Sequence, residues 1–324
     1  MAILATEKVL TLDYWKMAGD IREGDFLFNR FGKPVKVKLV QQSRALHCYE
    51  AQFADGLTIA GDAHLKLPIE SENYRKQVRK YKGVFKFKRQ PEPIALATLL
   101  ETPLTGRENR KEFSVPTAGA LQFPHIDLPV PPFIFGFWFF NRRSTGRLLP
   151  PPEFRDVVQE KLRDQGYLPT SKRKDFTTKP TILAHLKPNV PHRIPNNYLL
   201  SSATQRIELL QGILHSKTRQ YNKQTNVFRF THRKKELVSQ VQYLAESLGA
   251  RTVIDHDVYK NYYTVFIKTR LQLTHEQTPR PIKVRQEWRL VADVYEIQPQ
   301  GCVHIETDNP DTGFLVGEGF IPCL

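Results

Sequence analysis

The sequence is poor in cysteine, methionine and tryptophan, with three, two and three copies among 324 residues. Cys48, Cys302 and Cys323 are too few and too scattered for a disulfide framework, and with no CxxC pair they do not outline a zinc site. Long apolar runs are also missing. No stretch reaches the ~18 uninterrupted apolar residues of a membrane-spanning helix. The opening MAILATEKVLTLDYW has no charged-then-apolar signal pattern. These absences give the expectation of an intracellular protein, cytoplasmic or associated with nucleoid or phage, without a membrane partner. Carboxylates are scarce beside bases: 33 Asp+Glu face 48 Lys+Arg, a net charge of +15. What is plentiful is core material, 40% hydrophobic and 11% aromatic residues, which excludes disorder as the default state. The length implies about two domains, at roughly 100–200 residues each.

The positive charge is segregated. Arg75, Lys76, Arg79, Lys80, Lys82, Lys86, Lys88 and Arg89 share one stretch without an intervening acid and alternate with Tyr81, Phe85 and Phe87; Lys172, Arg173 and Lys174 form a second cluster. Solvated faces usually mix both signs, so runs like these point to a polyanion, nucleic acid ahead of an acidic membrane surface.

From Lys8 to about Leu67 short alternating runs are broken by turn signals at Gly24-Asp25, Phe31-Gly32-Lys33 and Asp55-Gly56, and Val35, Val37 and Leu39 alternate with Lys36 and Lys38 as a half-buried strand does. Prolines at 116, 124, 129, 131 and 132 mark a boundary over residues 115 to 132. The apolar block Phe133 to Phe140 is a strand or a helix; periodicity cannot choose over so short a run. After a second proline joint at 150 to 152, Ser202 is placed to cap a helix through Arg206 to Leu214. Residues 226 to 232 read as a strand, Lys234 to Leu248 as an amphipathic helix ending at Gly249, and 251 to 254 with 262 to 268 as paired strands. From about Pro281 the texture returns to β. A β domain split by an inserted α+β domain accounts for that return.

Several blocks resemble known ones. AILATEKVLTLDYWK (2–16) with GDIREGD (19–25) resembles the first block of an intein, the Hint fold; GLTIAGDAH (56–64) resembles the second splicing block, and DNPDTGFLVGEGFIPCL (308–324) the two C-terminal blocks. LPVPPFIFGFWFFNR (128–142) looks like the first LAGLIDADG helix of a homing endonuclease. RIPNNYL (193–199) and RIELLQGILHSKT (206–218) resemble the box before the second such helix and the helix itself. The implied fold is mixed: an all-β, horseshoe-like Hint splicing domain over 1–120 and 284–324, split by an α+β, pseudo-symmetric LAGLIDADG-type domain over 121–283.

The chemistry implied by that resemblance meets substituted residues. Splicing begins with a Cys or Ser nucleophile, and the matching position holds Ala2, whose methyl group cannot attack a carbonyl. The second block supplies a Thr and a His that polarise the scissile amide and protonate its nitrogen. His64 matches the His, whereas Gly61 stands in the Thr position. In the next block His304 aligns with an assisting Asp or Cys, and Thr312 with a histidine. The terminal Asn that cyclises has no counterpart, since the chain ends Cys323-Leu324 with Leu324 in the penultimate His position. In the endonuclease, an acid near the end of each LAGLIDADG helix holds divalent metal. Counting from Gly136 and Gly212, these positions are Asn141, followed by Arg142, and Lys217, followed by Thr218. Lys217 would repel Mg²⁺ and attract phosphate.

The expectation is therefore an intein-derived protein that neither splices nor cuts and binds double-stranded DNA. It implies no metal or other cofactor, with Mg²⁺ entering only with residual cleavage. DNA contacts are expected from Arg142, Arg143, Lys217, Arg219, Lys223, Arg229, His232, Lys260, Lys268 and Arg270, with Arg75, Lys76, Arg79, Lys80 and Lys82 on a flank. Gly136 and Gly212 are expected to allow close helix contact. Cys302 and Cys323 are expected as small buried hydrophobes. Three alternatives stay open at this point: an enzyme that still cuts DNA with unusual ligands, a subunit recruited into a nucleoprotein complex through RNA or protein contacts, and an inactivated splicing element.

Overall fold

The computed structural model describes residues 2–80, 91–105, 111–141, 150–165, 192–216, 221–222, 224–225, 227–269, 271–273 and 288–324. The chain divides into two compact units, Met1–Gln122 with Gly249–Arg251 and Arg280–Leu324, and Phe123–Leu248 with Thr252–Pro279.

The first unit is mostly sheet. Its strands are β1 (Ala2–Leu4), β2 (Lys8–Leu10), β3 (Trp15–Met17), β4 (Phe26–Phe28), β5 (Pro34–Arg44), β6 (Cys48–Phe53), β7 (Thr58–Asp62), β8 (Lys66–Ser71), β9 (Glu92–Ala95) and β10 (Phe113–Pro116). Two helices, α1 (Glu72–Lys80) and α2 (Leu96–Glu101), interrupt them. As expected from its alternation, β5 buries Val35 and Val37 and exposes Lys36 and Lys38. Asp55-Gly56 turns β6 into β7, with Gly56 at φ +85°, a conformation that costs a residue without Cβ little. The closing segment returns as β15 (Trp288–Ile297), β16 (Gly301–Thr307), β17 (Phe314–Val316) and β18 (Ile321–Cys323). These strands complete the early ones. β15 lies between β6 and β10, and β16 between β5 and β1, in a ten-stranded sheet ordered β4-β5-β16-β1-β7-β6-β15-β10-β8-β9. Ile3, Leu27, Phe53, Ile59 and Leu67 pack with Val291, Val303 and Val316 in one core. Within it Arg289 and Asp55 form an ion pair at 2.6 Å, with side chains 4% and 2% exposed, and Arg289 also donates to the Gly319 carbonyl at 3.1 Å. Pairing and hydrogen bonding together offset much of the cost of removing those charges from water.

The second unit holds α3 (Pro132–Asn141), α4 (Arg155–Asp164), α5 (Asn196–Leu199), α6 (Ala203–His215), β11 (Tyr221–Asn222), β12 (Val227–His232), α7 (Lys235–Glu246), β13 (Arg251–Asp257) and β14 (Tyr262–Lys268). The block that periodicity left open is the helix α3, with every residue from Pro132 to Phe139 buried. A helix buried on all sides carries no apolar stripe, which is why its sequence gave no period. Ser202 caps α6 as expected: its Oγ accepts from the Gln205 N–H, and the Gln205 side chain accepts from the Ser202 N–H at 3.2 Å, a reciprocal capping box. In α7 the stripe Leu237, Val238, Val241 and Leu244 is buried, and the helix packs on β12 and β14 of a four-stranded sheet ordered β11-β12-β14-β13. Among the described residues no helix is long and apolar enough to cross a membrane.

Candidate functional site

Three places in the fold gather the residues singled out by sequence. The first is the strand layer around Ala2. Ala2 is buried in β1, directly opposite His304 of β16, while its neighbour Ile3 opposes Gly61 of β7. The Ala2 N–H donates to Asp62 Oδ1 at 3.1 Å, and the same oxygen accepts the His64 N–H at 3.2 Å. Asp62 thus ties the first strand to the turn before β8, a role that its place between Gly61 and His64 in the block could have flagged. A Cβ on Gly61 would stand 2.4 Å from the Ala2 carbonyl oxygen and 2.7 Å from Leu65 Cδ2. The room for a Thr side chain there is filled by β1 itself. His64 is exposed, and His304 Nε2 lies 2.9 Å from Glu306 Oε1 on its own strand. At the end of the chain, the Thr312 hydroxyl donates to the Asn309 carbonyl at 2.9 Å, and the Leu324 N–H to the Lys66 carbonyl at 2.9 Å.

Beside Ala2 lies a small apolar cluster of Leu4, Cys48, Ala60 and Cys302. The sulfurs of Cys48 and Cys302 are 4.0 Å apart although 254 residues separate them in sequence. All three cysteines are buried. Burial, then the neighbouring Cys48, pushes the Cys302 thiol up to about 12.

The second place is the seam between α3 and α6. A Cβ at Gly136 would meet the Leu209 carbonyl oxygen at 2.5 Å, and one at Gly212 the Phe133 carbonyl oxygen at 2.1 Å. Both glycines serve close helix contact, as expected. At the end of the seam Asn141 Nδ2 donates to the Ser216 carbonyl at 2.9 Å, so this side chain fastens α3 to the last turn of its partner. Arg206, which the sequence left without a role, is buried in the second helix. Its Nε donates to the Ser201 carbonyl at 2.8 Å and its Nη1 to the Ser247 carbonyl at 2.9 Å, and desolvation lowers its pKa to about 10. Among the described residues no group of three or more His, Cys, Asp and Glu side chains could hold a metal ion.

The third place is the face of the four-stranded sheet turned away from α7. On the α7 side, Phe228 pairs with Ile267 and Phe230 with Val265, all buried. On the other side, Arg229 opposes Phe266, Val227 opposes Lys268, and Thr231 opposes Thr264 with their hydroxyls 2.9 Å apart. Arg229, Lys268 and Phe266 are exposed. Alternation puts Val253 and Asp255 of β13 on this face too. Lys260 sits in the β13–β14 hairpin with its side chain 76% exposed, 3.8 Å from Asp257. Sequence reasoning missed Phe266, Thr231 and Thr264, though the period-2 pattern of VFRFTH contained the signal for Thr231.

Two residues expected at DNA are engaged within the fold. His232 shares the parity of Phe228 and Phe230 and stacks its ring on Phe230, so it faces the helix side of the sheet. Arg75 is 3% exposed; its guanidinium donates to the carbonyls of Glu70, Lys111 and Glu112 and to Ser114 Oγ at 2.7–3.0 Å. A base so consumed by buried acceptors holds β8 to β10 and is not presented to a ligand. Lys76 is paired with Glu72 one helical turn away at 3.0 Å. Arg79 and Lys80 are described only as backbone of α1. Lys82, Arg142, Arg143, Lys217, Arg219, Lys223 and Arg270 lie outside the described residues.

No family model matches the chain. The replicative DNA helicase DnaB of Mycobacterium intracellulare is 26% identical over 329 residues, which cover 95% of this chain and 55% of the helicase. The chain thus spans about half the length of that relative. A crystal structure of the MchDnaB-1 intein is 30% identical over 21% of this chain and 53% of its own, with a TM-score of 0.20. The crystal structure of I-DmoI in complex with DNA and Mn is 11% identical over 43% of this chain and 89% of its own, with a TM-score of 0.30. The chain is similar to inteins of the Hint fold found in DnaB, and to the LAGLIDADG homing endonuclease I-DmoI.

Proposed function

We propose that this chain holds double-stranded DNA on the open face of its four-stranded sheet and neither splices nor cuts. The observation that carries the reading is the asymmetry of that sheet: one face is sealed by α7, and the other sets Arg229 and Lys268 on adjacent strands among Thr231, Thr264 and Phe266. Antiparallel ribbons fit the major groove, where cationic side chains fix phosphates and hydroxyls and apolar groups reach base edges. The net charge of +15 adds long-range attraction for a polyanion. Three residues support the absence of bond breaking. Ala2 offers no nucleophile, Gly61 leaves no room for an amide-polarising Thr, and Asn141 gives its amide to a helix carbonyl where a metal ligand would need a free carboxylate.

Salt-titrated binding tests this. Affinity for duplex DNA should fall steeply with salt, and Arg229→Ala and Lys268→Ala should each weaken binding and reduce the log–log slope by about one. His232→Ala, on the opposite face, should leave the slope unchanged. A flat salt response on duplex would refute the reading, as would nicking of a plasmid by the purified chain with Mg²⁺ or Mn²⁺. Tighter binding of RNA than of duplex would move the protein to the nucleoprotein-subunit class.

A further inference from the structure

Cys48 opens β6 and Cys302 is the second residue of β16. The two are brought together by the end of β15. Ile297 pairs with Cys48, and the chain then turns through Gln298 to Gly301, sending β16 back past the same point. The Gln300 N–H in that turn donates to Cys48 Sγ at 3.4 Å. The sulfurs are in van der Waals contact at 4.0 Å, inside an apolar cluster with Ala2, Leu4 and Ala60. A disulfide requires about 2.0 Å between sulfurs, so the closure needed is about the length of one bond. Cys323 lies elsewhere, fully buried, with its Sγ directed at the Ile321 carbonyl.

We propose that Cys48 and Cys302 are a site of oxidative cross-linking, closing one intramolecular disulfide that ties the strands before the second unit to those after it. The oxidant is a small-molecule disulfide. The thiolate of one cysteine attacks it, forming a mixed disulfide and releasing one small thiol. The second cysteine loses its proton and attacks the protein-side sulfur, expelling the second small thiolate, which takes up that proton. Two protein thiols are oxidised by two electrons, and one small disulfide is reduced to two thiols. Both cysteines of the native pair are buried and shielded from a small-molecule oxidant, so the bond forms fastest while β6 and β16 are coming together and slowly once they are packed. When formed, it encloses residues 49 to 301 in one covalent loop.

The test refolds the full chain in a glutathione buffer with the oxidised form in excess, quenches in acid, and alkylates in denaturant. The reduced chain should take up label on all three cysteines and the oxidised chain on Cys323 alone, with a mass lower by two hydrogens before labelling. A proteolytic fragment containing Cys48 should stay joined to one containing Cys302 until reductant is added. Cys323→Ser should keep that link and Cys302→Ser should lose it; the fragment map of the unsubstituted chain decides the matter if Cys302→Ser does not fold. Label on three cysteines after oxidative refolding, a mass increase from retained glutathione, or linkage only between separate chains would each overturn the proposal.

Discussion

Around Ala2 and along the α3–α6 seam, two backbones approach so closely that only glycine fits between them, yet the partners differ. At Gly61 a strand meets a strand, and the intruding Cβ would strike the Ala2 carbonyl oxygen at 2.4 Å, the flexible end of Leu65 at 2.7 Å and the Ile3 Cα at 3.2 Å. At Gly212 a helix meets a helix, and the Cβ would strike the Phe133 carbonyl oxygen at 2.1 Å and the Phe137 nitrogen at 2.9 Å. A leucine end can swing away; a helix backbone cannot move without its whole turn. Positions that the family resemblance associates with chemistry are engaged in assembly in both units, and at the strand-built one the leucine end is the single obstructing group that can move aside.

Three experiments sharpen this contrast. The largest effect is expected from Gly212→Val, which should cost about 3 kcal/mol or more and should abolish hydrogen-exchange protection across α3 and α6. Retained protection there would mean the seam is looser than the contact distances imply. Gly61→Thr should be milder, about 1–3 kcal/mol, with loss of protection confined to β1 and β7; a cost equal to that of Gly212→Val would erase the distinction. The third expectation is a pH dependence of the first unit. Burial raises the Glu70 carboxyl to about 7, against opposing contributions from the Trp288 N–H and the Arg75 charge, while an unfolded glutamate titrates near 4.5. Between those values the folded state binds the extra proton, so stability falls as pH rises through the window and levels off above it. Glu70→Gln should flatten that decline in urea titrations. An unchanged slope would assign it to Glu7, which burial raises to about 6.

The elements whose two faces differ could be read from the sequence. Val35 and Val37 alternate with lysines because one side of β5 meets the core, and Ser202 with Gln205 announces a helix start because the cap is local chemistry. The helix α3 was ambiguous because protein surrounds it, which removes the contrast that periodicity measures. Arg75 misled for a related reason: a cationic run reads as a surface, and nothing local shows that one guanidinium will be enclosed by carbonyls of β8 and the segment before β10. His232 was a matter of parity, present in VFRFTH but overlooked. The meeting of Cys48 with Cys302 was invisible, since it depends on where β15 lands after the intervening unit. Of the open-face residues, Arg229 and Lys268 were anticipated from strand position. Phe266 was not, because an apolar residue on an exposed face looks like core until the pairing register is known.

Val115 pairs with Arg289 and Pro116 with Trp288, antiparallel and in immediate register. β10 and β15 pair as the two arms of a hairpin do, with residues 117 to 287 between them in sequence. The gap that this excursion has to close is a single inter-strand spacing of about 5 Å. A two-residue reverse turn could close the same gap, so the pairing of Val115 with Arg289 and of Pro116 with Trp288 sets no length for the chain between them.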